Sequence, residues 1–375
     1  MPLDHAATLA RTLDGGRLSI EDGLTLYSQA PTESLLLAAH QAREQKTDGQ
    51  RVTYLIDRNI NYTNVCITDC KFCEFYRPVG HAQAYVLTRP ILWKKMEELR
   101  QAGGTRVLLQ GGHHPDLPLE WYEELLRDLR ADFPTIERDA FSPSEIEHMA
   151  LVSGESLETV MRRLKAAGLD GVPGGGGEIL DDEIRQRVSP KKTTTATWLR
   201  VMEIAHQEGL YTSASQVFGF GEEIVHRLRA LLRLRDQQDR SLARFGLGFM
   251  AFVSWPLQYE SRFGDVFGGI KGMKLGATNE EYLRHAAFCR LFLDNIPHHQ
   301  ASWPTMGLSV AAQALRGGCD DMGGTMMEEN VVSQAGSVHS CVTEDEVQKT
   351  IKAAGFLPVK RDSWYRLLTP SPLAP

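Results

Sequence analysis

From Val52 onward, short apolar or β-branched runs alternate with longer amphipathic ones, and this rhythm restricts the chain to few folds. Val52–Ile56, Arg106–Gln110, Thr135–Phe141, Leu169–Val172, Leu210–Val217 and Gly246–Val253 read as strands. Between them, Ile91–Ala102, Trp121–Phe133, a segment opened by Ser142-Pro143-Ser144-Glu145, Ser156–Ala167, Thr197–Glu208 and Arg227–Gln238 carry helical spacing. Several of these helices stop at glycine, as at Gly103, Gly168 and Gly209. Strand-then-helix repetition predicts a parallel sheet with right-handed crossovers. Gln300–Trp303 and Asp320–Met326 are candidate late strands, and Glu344–Gly355 with Phe356–Val359 reads as a closing helix and strand. No second core is evident. The expected fold is therefore α/β, a single TIM-like (βα) barrel or partial barrel with N-terminal helical and C-terminal extensions. The expected divisions are a helical cap over 1–50, with helices at Ile20–Leu26 and Thr32–Lys46, a barrel over 51–340 and an extension over 341–375 packed on it.

Glycine-rich and polar motifs follow the strands, which is the end of a parallel barrel where active sites are built. With 375 residues the chain is long enough for such a barrel, and its net charge of −7 gives no general attraction to nucleic acid. No apolar run reaches membrane-spanning length, and Asp4, His5 and Arg11 break up any secretory h-region. A cytoplasmic protein bound to neither nucleic acid nor membrane is expected.

Six cysteines are too few for a disulfide scaffold, and three of them, Cys66, Cys70 and Cys73, crowd into one loop after the first strand. Cys289, Cys319 and Cys341 are scattered and read as ordinary residues. In a reducing compartment a tight C-x3-C-x2-C cluster is a metal site. Three thiolates on a four-iron cubane leave one iron open for chemistry. Zinc, completed by a fourth ligand such as His81, is the plainer alternative.

The loop Asn61–Phe75 resembles that of the radical S-adenosylmethionine superfamily, with an aromatic residue, Phe72, between the second and third cysteines. The resemblance implies a [4Fe–4S] cluster on Cys66, Cys70 and Cys73, with S-adenosylmethionine chelated to the fourth iron. It also implies that Gln110, Gly111 and Gly112 contact the methionine part, that Glu178 meets the ribose hydroxyls, and that Gln216 lies near the adenine. Glycines at these turns also serve ordinary αβ geometry.

Across about Val52 to Arg366 the chain is similar to the cyclic dehypoxanthine futalosine synthases of menaquinone biosynthesis. RNINYTNVCITDCKFCEFY (Arg58–Tyr76), QGGHHPDLPLEWY (Gln110–Tyr122), FSPSEIE (Phe141–Glu147), LDNIPHHQASW (Leu293–Trp303) and GTMMEENVVSQAG (Gly324–Gly336) carry the similarity. Glu74, Gly177, SASQV (Ser213–Val217) and VSWPLQY (Val253–Tyr259) depart from the family pattern. The resemblance implies hydrogen abstraction from ribose C4′ by a deoxyadenosyl radical, addition of the carbon radical to the benzoate ring, and loss of an electron and a proton. A base is needed, and His113, His114 and Glu328 are candidates. Arg77, Tyr62, Asp294, Ser302, Glu329 and Asn330 are candidate contacts to the substrate, dehypoxanthine futalosine. Asn295 and Trp255 are also placed at the mouth on this reading. An external one-electron reductant such as flavodoxin or ferredoxin is implied as partner. An aminofutalosine synthase, which joins the adenosyl radical to its substrate, and an iron–sulfur electron carrier remain as other readings.

Overall fold

The computed structural model describes residues 4–258, 275–339 and 341–368; Tyr259, the last residue of the VSWPLQY segment, lies outside them. Its strands are β1 (Arg51–Leu55), β2 (Asp57–Ile60), β3 (Arg106–Leu109), β4 (Glu137–Ala140), β5 (Gly171–Val172), β6 (Tyr211–Phe218), β7 (Phe249–Pro256), β8 (His298–Gln300), β9 (Asp321–Gly324) and β10 (Leu357–Lys360). All pair in parallel, in the order β10-β1-β9-β8-β7-β6-β5-β4-β3-β2. Only Ile56 separates β1 from β2, so one run of chain pairs with β9 through its first half and with β3 through its second. The sheet thereby curls back on its own beginning as a TIM-like barrel. β10 adds beside β1, Val52 opposite Pro358 and Tyr54 opposite Lys360.

Helices surround the curl, and their ends follow the local sequence. Ser142 and Glu145 form a reciprocal capping box on the helix Pro143–Ser153, and Gly154 ends it in the left-handed conformation. Thr278 and Glu281 do the same at the start of the helix Asn279–Phe292. The N-terminal helices Ile20–Gln29 and Thr32–Lys46 pack on the outer helices of the late half, where Tyr27 meets His285 at 2.9 Å. No helix of the described residues is long and apolar enough to cross a membrane.

Some boundaries differ from the sequence reading. β8 ends at Gln300, and Trp303 begins a helix, Trp303–Arg316, with Pro304 in its first turn. Proline cannot donate to a sheet ladder but suits a helix start. The strand expected over Leu169–Val172 is only Gly171–Val172, and β9 stops at Gly324. β2, with the sequence Asp-Arg-Asn-Ile, carries too much charge to read as a strand. It forms because Arg58 finds Glu98 and Glu328 outward and Asp57 finds Arg106 inward.

Burial alternates along the strands in a way that locates the open space. Outward Val107, Leu109, Ala214 and Phe252 are buried beneath the helices, whereas inward Leu108, Ser213, Val217, Trp255 and Gln300 keep partial exposure. The barrel interior is therefore open above its floor. That floor is filled by charge and by the C-terminal segment. Arg361 makes a fully buried two-pronged pair with Asp321 (2.6 and 2.9 Å), and the Tyr365 ring stacks on His298 at 3.7 Å. Arg106 joins Asp57 (2.5 Å) to Asp139 (3.4 Å) across the same floor.

Candidate active site

The cysteine loop leaves β2 at the carboxyl end of the barrel and is held as a shelf by backbone bonds. Cys66 N–H donates to the Arg77 carbonyl (3.0 Å), Ile67 N–H to that of His113 (3.2 Å) and Lys71 N–H to that of Val188 (3.0 Å). The Arg77 guanidinium donates to the Glu74 and Tyr76 carbonyls, both at 2.8 Å. Gly112 backs directly onto the loop. A Cβ there overlaps the Val65 carbonyl and lies 2.8 Å from Cys66 Cβ, so only glycine lets the strand end approach this closely.

The three cysteines are unbridged thiols. Burial pushes the Cys70 thiol up to about 12, opposed by the nearby Lys192 ammonium, and raises Cys73 as well. Buried neutral thiols of this kind become stable thiolates when they ligate metal. A single zinc at about 2.3 Å from each sulfur draws its ligands to within about 4 Å of one another. Among the described residues, the one trio of His, Cys, Asp or Glu ligand atoms within 4.8 Å is Asp181, Glu183 and His226. At least one pair of the cysteine sulfurs is thus more than 4.8 Å apart, wider than a mononuclear ion holds its ligands. His226 Nδ1 accepts the Glu223 N–H (3.1 Å), so its Nε2 carries the proton and faces Glu183 as a donor.

The other candidate residues divide into those at the shelf and mouth and those elsewhere. His113 lies buried beneath the shelf, its Nδ1 2.8 Å from the Thr68 hydroxyl and its Nε2 3.2 Å from that of Ser144. Burial, then Lys192 and His148, lowers its pKa far below the ordinary value, so it stays neutral. His114 is half-buried, and burial lowers it too; its Nδ1 receives the Asp116 N–H (3.1 Å). Gln110 turns its side-chain amide against Gly175. Glu178 is buried, with Lys192 at 2.6 Å and Arg185 at 3.4 Å. Asn330 reaches Asn61 at 3.2 Å, and Ser302, fully buried after β8, bonds Thr305 at 2.6 Å.

Several side chains turn elsewhere. Tyr62 is fully buried among Trp121, Tyr122 and Phe141 with its hydroxyl on Glu145 (2.7 Å), so it supports the shelf from the helix side. Gly111 is glycine for the same reason, since a Cβ would lie 2.5 Å from that ring. Phe72 packs on Phe220 at 5.3 Å. Gln216 points outward to the Arg227 carbonyl (3.1 Å). Glu328 is paired with Arg58 (2.7 Å) and Lys95 on the outer helix Arg89–Gln101, and these cations outweigh burial to keep its pKa low. Glu329 accepts the N–H groups of Val331, Val332 and Ser333, which spends its carboxylate on capping a turn. Asp294 precedes β8 and is therefore at the opposite end of the barrel, bonded to Arg17 at 2.8 Å; Asn295 bonds Asp239 beside it. Arg77 is committed to the loop carbonyls rather than to the chamber.

Lys192 was not legible in the sequence. Burial alone would lower its pKa, yet Glu178 and Cys70 hold it raised, and its ammonium sits 6.0 Å over the Phe72 ring. Nor were Ser213 and Ser215, whose hydroxyls grip Gly174 at 3.1 and 2.7 Å and tie the glycine loop to β6. Both belong to the departing SASQV segment.

Set against known proteins, residues 60–234 match the radical SAM superfamily and residues 246–372 match the CofH/MqnC C-terminal region. The cyclic dehypoxanthine futalosine synthase of Halalkalibacterium halodurans is 43% identical over 96% of this chain and 94% of its own length. The chain belongs to this family of radical SAM enzymes. The aminodeoxyfutalosine synthase of Thermus thermophilus is more distant, 34% identical over 95% of this chain and 94% of that one. The fold also matches the hydrogenase maturase HydG of Carboxydothermus hydrogenoformans, with TM-score 0.73 and 16% identity over 96% of this chain and 80% of that one. The family's cofactors are a [4Fe–4S] cluster and S-adenosylmethionine, and Cys66, Cys70 and Cys73 are the ligands that fit the cluster.

Proposed function

We propose that this enzyme cyclises dehypoxanthine futalosine in menaquinone biosynthesis. The observation that carries the reading is near full-length similarity to a synthase of that name, joined to a cysteine shelf at the mouth of an open barrel. Cluster and S-adenosylmethionine, when bound, supply a deoxyadenosyl radical that takes hydrogen from a substrate carbon. The chain's part is placement and exclusion of water. Cys66, Cys70 and Cys73 would hold the cluster. Gln110, Gly111, Gly112 and the glycine loop before Glu178 form the wall nearest to it, and Lys192 beside Glu178 supplies a cation for a carboxylate of the cofactor. Val217 and Trp255 offer apolar surface to an aryl ring, while the half-buried Asn330 offers a hydrogen bond at the rim.

The reductant in this reading is a small one-electron carrier of the flavodoxin or ferredoxin type, and the reducing cytoplasm is where three free thiols persist. Anaerobic incubation of reconstituted, reduced enzyme with dehypoxanthine futalosine tests it. Cyclised product by mass, with free 5′-deoxyadenosine, is the expected result. Product that retains the adenosyl group identifies an aminofutalosine synthase instead, and neither product overturns both.

A further inference from the structure

Loss of a proton from the substrate ring needs an acceptor inside the barrel, and several of the acidic and imidazole groups near the shelf are already committed; Glu74 Oε1, buried without a partner, lies on the cysteine loop itself. His113 has both ring nitrogens engaged, and Glu178 is held by two cations. Glu145 accepts from the Tyr62 hydroxyl, the Gly111 N–H and Ser142, and Glu328 faces outward. Asp139 differs. It lies on β4 with Leu108 on one side and Gly171 on the other, and its contact with Arg106 places its carboxyl on the inward face. The residue is 3% exposed; Oδ2 touches Arg106 at 3.4 Å, and Oδ1 has no partner. Other buried atoms nearby are also without partners, among them Arg106 Nε and Asn59 Oδ1. Buried polar atoms are ordinarily satisfied by protein, water or ligand, so a cluster of orphans around Asp139 marks a place where something polar is handled.

We propose that Asp139 takes up the proton released when the substrate ring regains its aromaticity, directly or through one water. This rests on the function proposed above. After the ribose carbon has bonded to the ring, the ring radical gives one electron to a one-electron acceptor of the iron–sulfur class. The ring C–H bond then breaks, its electron pair restores the aromatic sextet, and its proton goes to the Asp139 carboxylate. The charged and titratable groups around that carboxylate are Asp57 on β2, Arg106 on β3, Glu137 on β4, Asp170 ahead of β5 and Tyr211 on β6, with the Arg361–Asp321 pair beyond Arg106. Burial raises the Asp139 pKa to about 7 against the pull of Arg106. A carboxylate so tuned is ionised at mildly alkaline pH and basic enough to accept a carbon-bound proton.

The test compares wild type with Asp139→Asn and Asp139→Glu on dehypoxanthine futalosine, counting cyclised product against 5′-deoxyadenosine. Asp139→Asn should still release deoxyadenosine but make about 100-fold less product. In wild type the product-to-deoxyadenosine ratio should rise with pH through about 7, a rise absent from Asp139→Asn and partly restored in Asp139→Glu. An unchanged ratio in Asp139→Asn overturns the proposal. If that variant does not fold, a wild-type ratio flat across pH 6–8 overturns it equally. Wild type that releases deoxyadenosine without cyclised product overturns the function reading and this inference together, whereas a deficit confined to the variant upholds both.

Discussion

The cysteine shelf and the barrel floor are both polar and both withdrawn from water, but they are held by different physics. At the shelf, main-chain bonds and close glycine contacts fix the loop, while burial disfavours the charged forms of Cys70, Cys73 and His113. At the floor, charges are locked in pairs: Arg361 on Asp321, and Arg106 on Asp57. A shelf of neutral groups can be emptied and filled without unfolding its support. A floor of buried charge cannot lose one partner without stranding the other. The difference assigns cofactor binding to the first region and closure of the fold to the paired charges of the second.

The most complete effect expected is chemical and confined to the shelf. Cys70→Ala should abolish cluster absorbance and deoxyadenosine release, with denaturant unfolding of the apo-protein shifted by no more than about 1 kcal/mol. Large loss of stability in that variant would erase the contrast. At the floor, Arg361→Met strands Asp321 and should cost about 3–5 kcal/mol in urea unfolding. Retention of wild-type stability there would show that the floor tolerates lone charge.

Smaller effects refine the picture. Gly112→Ala pushes the Val65 carbonyl and Cys66 and should cost about 1–3 kcal/mol. Its iron content per chain should fall further than its stability, as judged by iron analysis beside thermal melts. The smallest concerns pH. Asp139 holds its proton to about 7 in the folded protein, above the ordinary carboxylate value of 3.8. The native state therefore binds more protons between those limits, and stability declines as pH rises from about 4 to 7. Asp139→Asn should flatten that decline in unfolding curves taken across the range; an unaltered slope would show that the carboxyl titrates normally.

The repeating strand and helix pattern and the three cysteines were legible from residues alone, because periodicity and metal-ligand spacing are local properties. So were the helix ends at Ser142 and Gly168. What the sequence did not disclose is which way each side chain turns. Strands of a parallel barrel are buried on both faces, so composition does not separate inside from outside. Tyr62 and Gln216 read as chamber residues yet face the helices, while Asp139 faces in. Asp294 sits in a motif shared with Ser302, but β8 runs between them and carries the two to opposite ends of the barrel.

Sequence by itself determined the fold class, the ligand set and the family, since each is written in residue type and spacing. The tertiary structure decided the partners of those residues. Lys192 meets Glu178 and Cys70, and Arg361 meets Asp321, only because sheet closure brings together segments distant along the chain. Charge and burial follow from that meeting, because a carboxyl's affinity for a proton is set by its surroundings.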